Sequence, residues 1–359
     1  MKIGLVGLPL TGKTTFFNLL TNSQAETAAG KMVTNLGTAR VPDPRIDFLS
    51  KLYQPRKTIY AQIDVVDLAG LMISGEQQKS SAAKFLHDVR SCDALVHVLR
   101  TFTNREVVHV AGEINPQRDL ETVEMELLFA DMELIEKRKA RILAGKKIKE
   151  AEKLELEYLD KCYAFLETGE FIGDSDLSLE ERAALKNYAF LTEKPRLAVV
   201  NLDEEQFRKK EYPQRQKLME ICQEKGIRLL EICAQMEWEI SELSTTDKKL
   251  FMEDLGLTET GIELLARHAY EHLGLIPFFT VGEDEVRAWT IAKGTTAKVA
   301  AGKIHSDIER GFIRAEVVKF NDLKRLGQMS QVKEKGLFRL EGKNYLVEDG
   351  DIINFRFNV

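Results

Sequence analysis

The residues Gly7-Leu8-Pro9-Leu10-Thr11-Gly12-Lys13-Thr14-Thr15 fit the spacing G-x-x-x-x-G-K-[ST]. Each residue type in that pattern has a chemical reason. Gly7 and Gly12 let the backbone wrap closely, so that its N–H groups and the N-terminus of the next helix face a polyphosphate. Lys13 brings a cation to the β- and γ-phosphates, and the Thr14 hydroxyl is a ligand for Mg²⁺. The flanks agree: Ile3–Val6 reads as a short apolar strand before the loop and Lys13–Leu20 as a helix after it. In this strand–loop–helix context an accidental glycine turn is the disfavoured alternative. A nucleoside triphosphate is the expected ligand.

A second cluster follows the apolar run Ile63–Val66, which ends in Asp67-Leu68-Ala69-Gly70. At this strand end of a P-loop protein an Asp holds Mg²⁺, directly or through water. Gly70 lets a backbone N–H approach the γ-phosphate and gives the following loop freedom to switch. D-x-x-G alone is a plain strand-end turn; its distance from the P-loop gives it meaning. Lys13, Asp67 and Gly70 are therefore the candidate catalytic residues, and Thr14 and Asp67 the metal ligands. The next residue bears on hydrolysis. Ras-like enzymes place a water-orienting Gln there, whereas this chain has Leu71, which cannot hydrogen-bond water. Either the catalyst comes from elsewhere or hydrolysis is slow.

The third cluster is Val199-Val200-Asn201-Leu202-Asp203-Glu204. Guanine-reading sites use N-K-x-D, whose carboxylate accepts from guanine N1–H and the 2-amino group. Here Leu202 replaces the Lys, as an apolar wall, and Glu204 the Asp. Adenine has no N1–H donor, and a site loses selectivity when the partner of its buried polar group is missing. Asn201, Leu202 and Glu204 are thus expected to bind the base, with ATP preferred to GTP. GTP stays open, because Asn201 is retained and a one-residue shift would bring in Asp203.

Elements must position these residues. Apolar segments at Ala94–Leu99, Leu197–Val200 and Leu229–Cys233 join the two above as buried strands, with amphipathic helices such as Pro44–Lys51 and Ser80–Arg90 between them. The alternation predicts an α/β fold: a doubly wound, mostly parallel sheet with nucleotide at the carboxyl ends of its strands. After Asn115-Pro116 the texture becomes charged and helical. Leu120, Val123, Leu127, Ala130 and Leu134 recur at helical spacing, Leu154, Tyr158 and Phe165 continue it, and Gly145 lies between. This predicts an antiparallel helical hairpin. Its tip carries seven Lys or Arg and no acid between Lys137 and Lys149, either a solvated helix end or a contact for RNA or the ribosome. His268 and His272 have metal-ligand spacing, but no third ligand accompanies them, so a structural role is expected. Beyond Ile276-Pro277, short alternating segments at Phe278–Val281, Ala288–Ile291, Ile313–Val318, Leu337–Leu340 and Ile352–Phe357 predict a small α+β domain, with one helix over Gly302–Glu309.

Composition sets the bounds. A chain of 359 residues is long for one core and suggests two or three domains. Hydrophobic content of 44% and charged content of 30% fit a globular protein, with no apolar run near the roughly 20 residues that span a bilayer. With the P-loop strand at the N-terminus, no signal peptide is expected. Cys92, Cys162, Cys222 and Cys233 lack CxxC spacing and read as buried, reduced thiols of a cytoplasmic protein. The net charge of −6 argues against a polyanion-binding surface everywhere but permits a local one.

Taken together, G-L-P-x-x-G-K-T-T, D-L-A-G-L and N-L-D-E resemble the YchF family of Obg-like P-loop ATPases. So do Val41-Pro42-Asp43-Pro44-Arg45, Lys84-Phe85-Leu86 and Ala130-Asp131-Met132-Glu133. The tail runs Val286–Ile291, His305–Glu316 and Phe355-Arg356-Phe357-Asn358-Val359 look like the family's TGS domain. The resemblance implies a nucleotide domain over 1–115 and 193–275, a helical hairpin inserted over 116–192, and a β-grasp TGS domain over 276–359. It also implies ATP preference through N-x-x-E, a hydrophobic residue in place of the catalytic Gln, and association with ribosomes. The chain departs from the pattern at switch I, where Lys31 takes the place of the Mg²⁺-sensing Thr and Thr27 or Thr34 could substitute. Switch II, Ser74–Ser81, carries Gly75 as its one glycine, and Leu10 stands where Asn is usual. The sequence reads as a divergent paralogue, with Gln77 or Gln78 as further sources of a water-positioning group.

Overall fold

The computed structural model describes residues 1–25, 34–72, 78–104, 107–145 and 147–358, with backbone only at 78 and 79. Lys31, Thr27, Ser74, Gly75, Gln77, the Gln78 side chain, Lys146 and Val359 therefore lie outside it. Twelve strands occur among the described residues: β1 (Lys2–Val6), β2 (Asn35–Arg40), β3 (Lys57–Ile59), β4 (Gln62–Asp67), β5 (Ala94–Arg100), β6 (Arg196–Asn201), β7 (Arg228–Ile232), β8 (Leu275–Val281), β9 (Glu285–Ala292), β10 (Phe312–Lys319), β11 (Arg339–Glu341) and β12 (Asp351–Phe357). They form two six-stranded sheets, in the orders β2-β4-β1-β5-β6-β7 and β11-β10-β12-β8-β9-β3. The chain divides into two compact units, residues 1–37 with 64–262 and residues 38–63 with 263–359.

In the first unit β4, β1, β5, β6 and β7 are parallel neighbours. Their Val-, Ile- and Leu-rich runs are buried because helices cover both faces of such a sheet. The expected α/β fold is what forms. The hairpin consists of helices Pro116–Leu143 and Glu150–Glu167, with Gly145 in the turn between them. Asn115 caps the first helix by accepting from Arg118 N–H at 3.0 Å, and Pro116 begins it, where a missing N–H costs nothing. Val123, Leu127 and Ile135 then pack with Leu159, Cys162 and Leu166 in one core. Buried Asp131 fixes the return of the chain, accepting from Leu191 N–H at 3.1 Å and from Thr192 N–H and Oγ1 at 2.8 Å each. All four cysteines are buried and free.

In the second unit β10, β11 and β12 are antiparallel neighbours, as are β8 and β9, while β12–β8 and β3–β9 are parallel pairs. Helix Ala297–Ile304 lays Ala297, Ala300 and Ala301 on Phe278, Ile291, Ile353 and Phe355. The single helix expected over Gly302–Glu309 is instead two, Ala297–Ile304 and Ser306–Arg310. His305 between them is extended, and its Nδ1 accepts from Asp307 N–H, so the ring caps a new helix rather than continuing the old one. The segment 38–63 lies in sequence among strands of the first sheet, yet it builds the second. Its strand β3 extends that sheet beside β9, and its helix Pro44–Tyr53 packs on β8 and β9. Asp43 caps this helix, and Arg45 bridges Asp43 and Asp349 at 2.8 and 2.9 Å.

Candidate nucleotide site

The P-loop joins β1 to helix Lys13–Thr21 through three residues of positive φ: Gly7 at 143°, Leu10 at 63° and Gly12 at 97°. Two of them are glycine for a further reason. A Cβ on Gly7 would lie 2.5 Å from the Val98 carbonyl oxygen, and one on Gly12 would collide with the Asn201 side-chain amide. The helix is capped by Gly12 and has no side-chain cap, so its first-turn amides remain available to an anion. Thr11 Oγ1 donates to the Leu8 carbonyl at 3.1 Å and stiffens the turn. Leu8 is buried beneath it, Pro9, Leu10 and Thr15 are half-buried, and Phe16 and Phe17 anchor the helix in the core.

Lys13 is only 6% exposed. Its Nζ donates to the Leu8 and Gly7 carbonyls at 2.7 and 3.3 Å. Burial lowers its pKa to about 8 against the opposing pull of the Asp67 carboxylate. Thr14 Oγ1 donates to Asp67 Oδ2 at 2.8 Å, and Asn35 Nδ2 reaches the same oxygen at 3.3 Å. The other oxygen, Asp67 Oδ1, is buried without a hydrogen-bond partner among the described residues. Burial raises the Asp67 pKa, while the bonds from Thr14 and the Lys13 charge restrain it. A buried carboxylate oxygen with a free lone pair, beside a Thr hydroxyl and a Lys, suits a hard, oxygen-liganded dication. Gly70 closes this cluster: a Cβ there would sit 2.8 Å from Pro9 N and 3.1 Å from Lys13 Nζ. Leu71 donates its N–H to the Gly7 carbonyl at 3.2 Å and turns its side chain into the core.

Asn201, Leu202, Asp203 and Glu204, expected to meet the base, face different surroundings from one another. Asn201 Nδ2 donates to the Thr11 carbonyl at 3.0 Å, and its Oδ1 accepts from Ala234 N–H at 3.2 Å. Both polar ends of the amide thus tie the P-loop to the turn after β7. Leu202 is buried with Tyr212, Leu218 and Met236, so the apolar wall expected of it lies in the core. Asp203 caps helix Glu204–Lys209, accepting from Gln206 N–H at 3.0 Å, and it accepts from Thr103 N–H and Oγ1 at 3.3 Å. Glu204 is exposed and pairs with Arg208 at 2.9 Å.

Three residues here had no motif to announce them. Asn35 opens β2 in a polar, half-exposed strand. Buried Thr101 bonds the Asn201 carbonyl at 3.0 Å. His97 is buried in β5 beside Gly7, inside a run that reads as plain strand. Elsewhere, Thr34 bonds Asp88 at 2.7 Å rather than the cluster, and His268 pairs with Glu271. No group of three metal-ligating side chains occurs among the described residues, and no described helix is long and apolar enough to cross a membrane.

Two family models match the chain. One described as "50S ribosome-binding GTPase" covers residues 2–138, and YchF-GTPase_C, described as "Protein of unknown function (DUF933)", covers 275–358. The Ribosome-binding ATPase YchF of Bacillus subtilis (strain 168) is 41% identical over 365 residues, spanning 100% of both chains. That of Escherichia coli O157:H7 is 40% identical, over 100% of this chain and 99% of its own. Obg-like ATPase 1 of Xenopus laevis is 37% identical, over 100% and 92%. The solved structure of the Schizosaccharomyces pombe YchF GTPase superposes with a TM-score of 0.88 at 31% identity, covering 99% of this chain and 97% of that one.

Proposed function

The chain belongs to the YchF family, and from that premise we propose that it is a cytoplasmic protein that binds ATP with Mg²⁺, hydrolyses it slowly to ADP and phosphate, and acts with the ribosome. The observation that carries the reading is the Thr14–Asp67–Lys13 cluster under the P-loop, with Asp67 Oδ1 buried and unpartnered among the described residues. Thr14 and Asp67 would hold the metal, which when bound neutralises charge on the phosphates. Lys13 exchanges its carbonyl partners for phosphate oxygens, the free first-turn amides cradle them, and Gly70 N–H lies against the γ-phosphate. Phosphoryl transfer is largely such positioning. Leu71 is held in the core and orients no water, which leaves that task to the backbone or to Gln77 or Gln78, and turnover is slow.

Asp203 supports adenine over guanine. Its carboxylate is engaged as a helix cap and by Thr103 and is not free to accept from guanine N1–H. Glu204, whose partner is an exposed Arg208, is free to turn toward a base, with Asn201 and Leu202 holding the strand end behind it. The relatives' names divide between ATPase and GTPase. Side-by-side titration decides it: GTP binding tenfold tighter than ATP, a gap of about 1.4 kcal/mol, overturns the adenine assignment. Phosphate release should vanish in Lys13→Ala, and turnover surviving there places the chemistry elsewhere.

The buried Leu71 favours a second reading, a nucleotide-gated ribosome or RNA adaptor in which hydrolysis is vestigial. The hairpin over 116–192 and a C-terminal TGS domain over 276–359, completed by residues 38–63, would supply its contacts. At the tip, Lys137, Arg138 and Lys139 are paired with Glu133, Glu155 and Asp160. Arg141, Lys147 and Lys149 form no ion pair among the described residues, and they are the ones to meet phosphate. Ribosome co-sedimentation should weaken with salt and with Arg141→Glu, Lys147→Glu; binding indifferent to both removes the tip from the interface.

A further inference from the structure

Between β5, β6 and the hairpin helix Pro116–Leu143 lies a cavity of about 20 Å³, lined among others by Val6, His97, Leu120, Glu124, Arg196 and Ala198. Three polar atoms of its walls are buried without a hydrogen-bond partner among the described residues: His97 Nε2, Glu124 Oε1 and Arg196 Nε. The surrounding groups are spoken for. Glu124 Oε2 pairs with Lys225, Arg196 Nη2 donates to Asp174 at 2.9 Å, and the guanidinium lies 3.7 Å over the Phe171 ring. Glu124 Oε1 and Arg196 Nε are 3.4 Å apart, yet the pair makes no hydrogen bond.

A dry cavity is lined by apolar groups, whereas one of this size with several unpaired polar atoms suits a single water molecule, which needs two to four partners. We propose that this cavity is a specific water site, in which the water accepts from Arg196 Nε–H and donates its two hydrogens to Glu124 Oε1 and His97 Nε2. The donor count closes. It requires a neutral His97 with its proton on Nδ1. Burial, aided by the Lys13 charge, lowers the His97 pKa to about 3, which keeps the ring neutral at cellular pH. His97 is also the residue behind the P-loop. Its Cα pairs with Val6 in the sheet, and its Cδ2 lies 3.5 Å from where a Gly7 Cβ would be. The water therefore ties the residue that backs Gly7 to Glu124 near the start of the hairpin, and His97 is a positioning residue for the loop. The link to ligand affinity rests on the nucleotide reading above; the water site does not.

A crystal structure of the full chain at about 1.8 Å or better should show one water peak within hydrogen-bond distance of all three atoms. Imidazole ¹⁵N shifts should report His97 as the neutral Nδ1–H tautomer from pH 5 to 8. A dry cavity, or a His97 that titrates in that range, overturns the proposal. His97→Gln keeps an acceptor for the water and should retain both the peak and ATP affinity, whereas His97→Leu should lose the peak and bind ATP about fivefold more weakly. Equal affinities in the two variants remove the positioning role. Failure of the wild type to bind any nucleotide would sink the nucleotide reading and leave the water site to be judged on density and shifts.

Discussion

At the scale of single residues the site is governed by burial. Burial holds the Lys13 pKa at about 8, below its ordinary value. Phosphates favour its charged form, so above that pH binding must take up a proton. Affinity for ATP should therefore fall as pH rises, by roughly tenfold between pH 7.5 and 9. Calorimetric titration across that range checks it, and an affinity independent of pH would show that Lys13 stays charged before the nucleotide arrives. The two neighbouring acids should separate cleanly. Glu204→Ala should weaken ATP binding about tenfold, whereas Asp203→Ala should cost about 1 kcal/mol of local helix stability and leave the ATP-to-GTP preference alone. The reverse result would make Asp203 the base reader and restore guanine.

At the scale of elements, what the sequence revealed depended on how fully each element is buried. The strands β1, β4, β5, β6 and β7 were legible because buried parallel strands are near-continuous apolar runs. The strand β2, N-L-G-T-A-R, alternates exposure and carries no such run, and β3 has three residues. The P-loop and D-x-x-G were legible because tight backbone geometry restricts the residue types there, at Gly7, Gly12 and Gly70 above all. His97 and Asn35 were not, since a lone His in an apolar strand or an Asn before a strand is chemically ambiguous until folding supplies its neighbours. The sequence run around Asp131 gained its reason only from the structure. Asp131→Ala would leave two amides and a hydroxyl buried without their acceptor. Hydrogen-exchange protection of Leu191 and Thr192 should drop about a hundredfold, near 3 kcal/mol. Unchanged protection would mean that those amides are held by the surrounding packing and not by the carboxylate.

At the scale of the whole molecule, chain order and spatial assignment disagree over residues 38–63. These residues run from the end of β2 to the first residues of β4, yet they complete the second unit. Strand β3 covers the edge of β9, with Lys57, Thr58 and Ile59 opposite Glu285, Val286 and Arg287. Helix Pro44–Tyr53 buries Ile46 and Leu49 completely, and Phe48 meets Phe320 edge-on at 5.6 Å. Burying two such aliphatic side chains stabilises by about 3–6 kcal/mol, comparable with the whole stability of many domains. A C-terminal fragment cut where the family model begins therefore lacks part of its own sheet and core. Residues 263–359 expressed alone should give a poorly dispersed spectrum and a low, broad melting transition, because β9 is then an uncovered edge. The same fragment joined through a flexible linker to residues 38–63 should fold cooperatively and melt well above it. Indistinguishable melting of the two would show that the C-terminal sheet stands without the inserted segment, and that β3 and its helix are passengers on a complete domain.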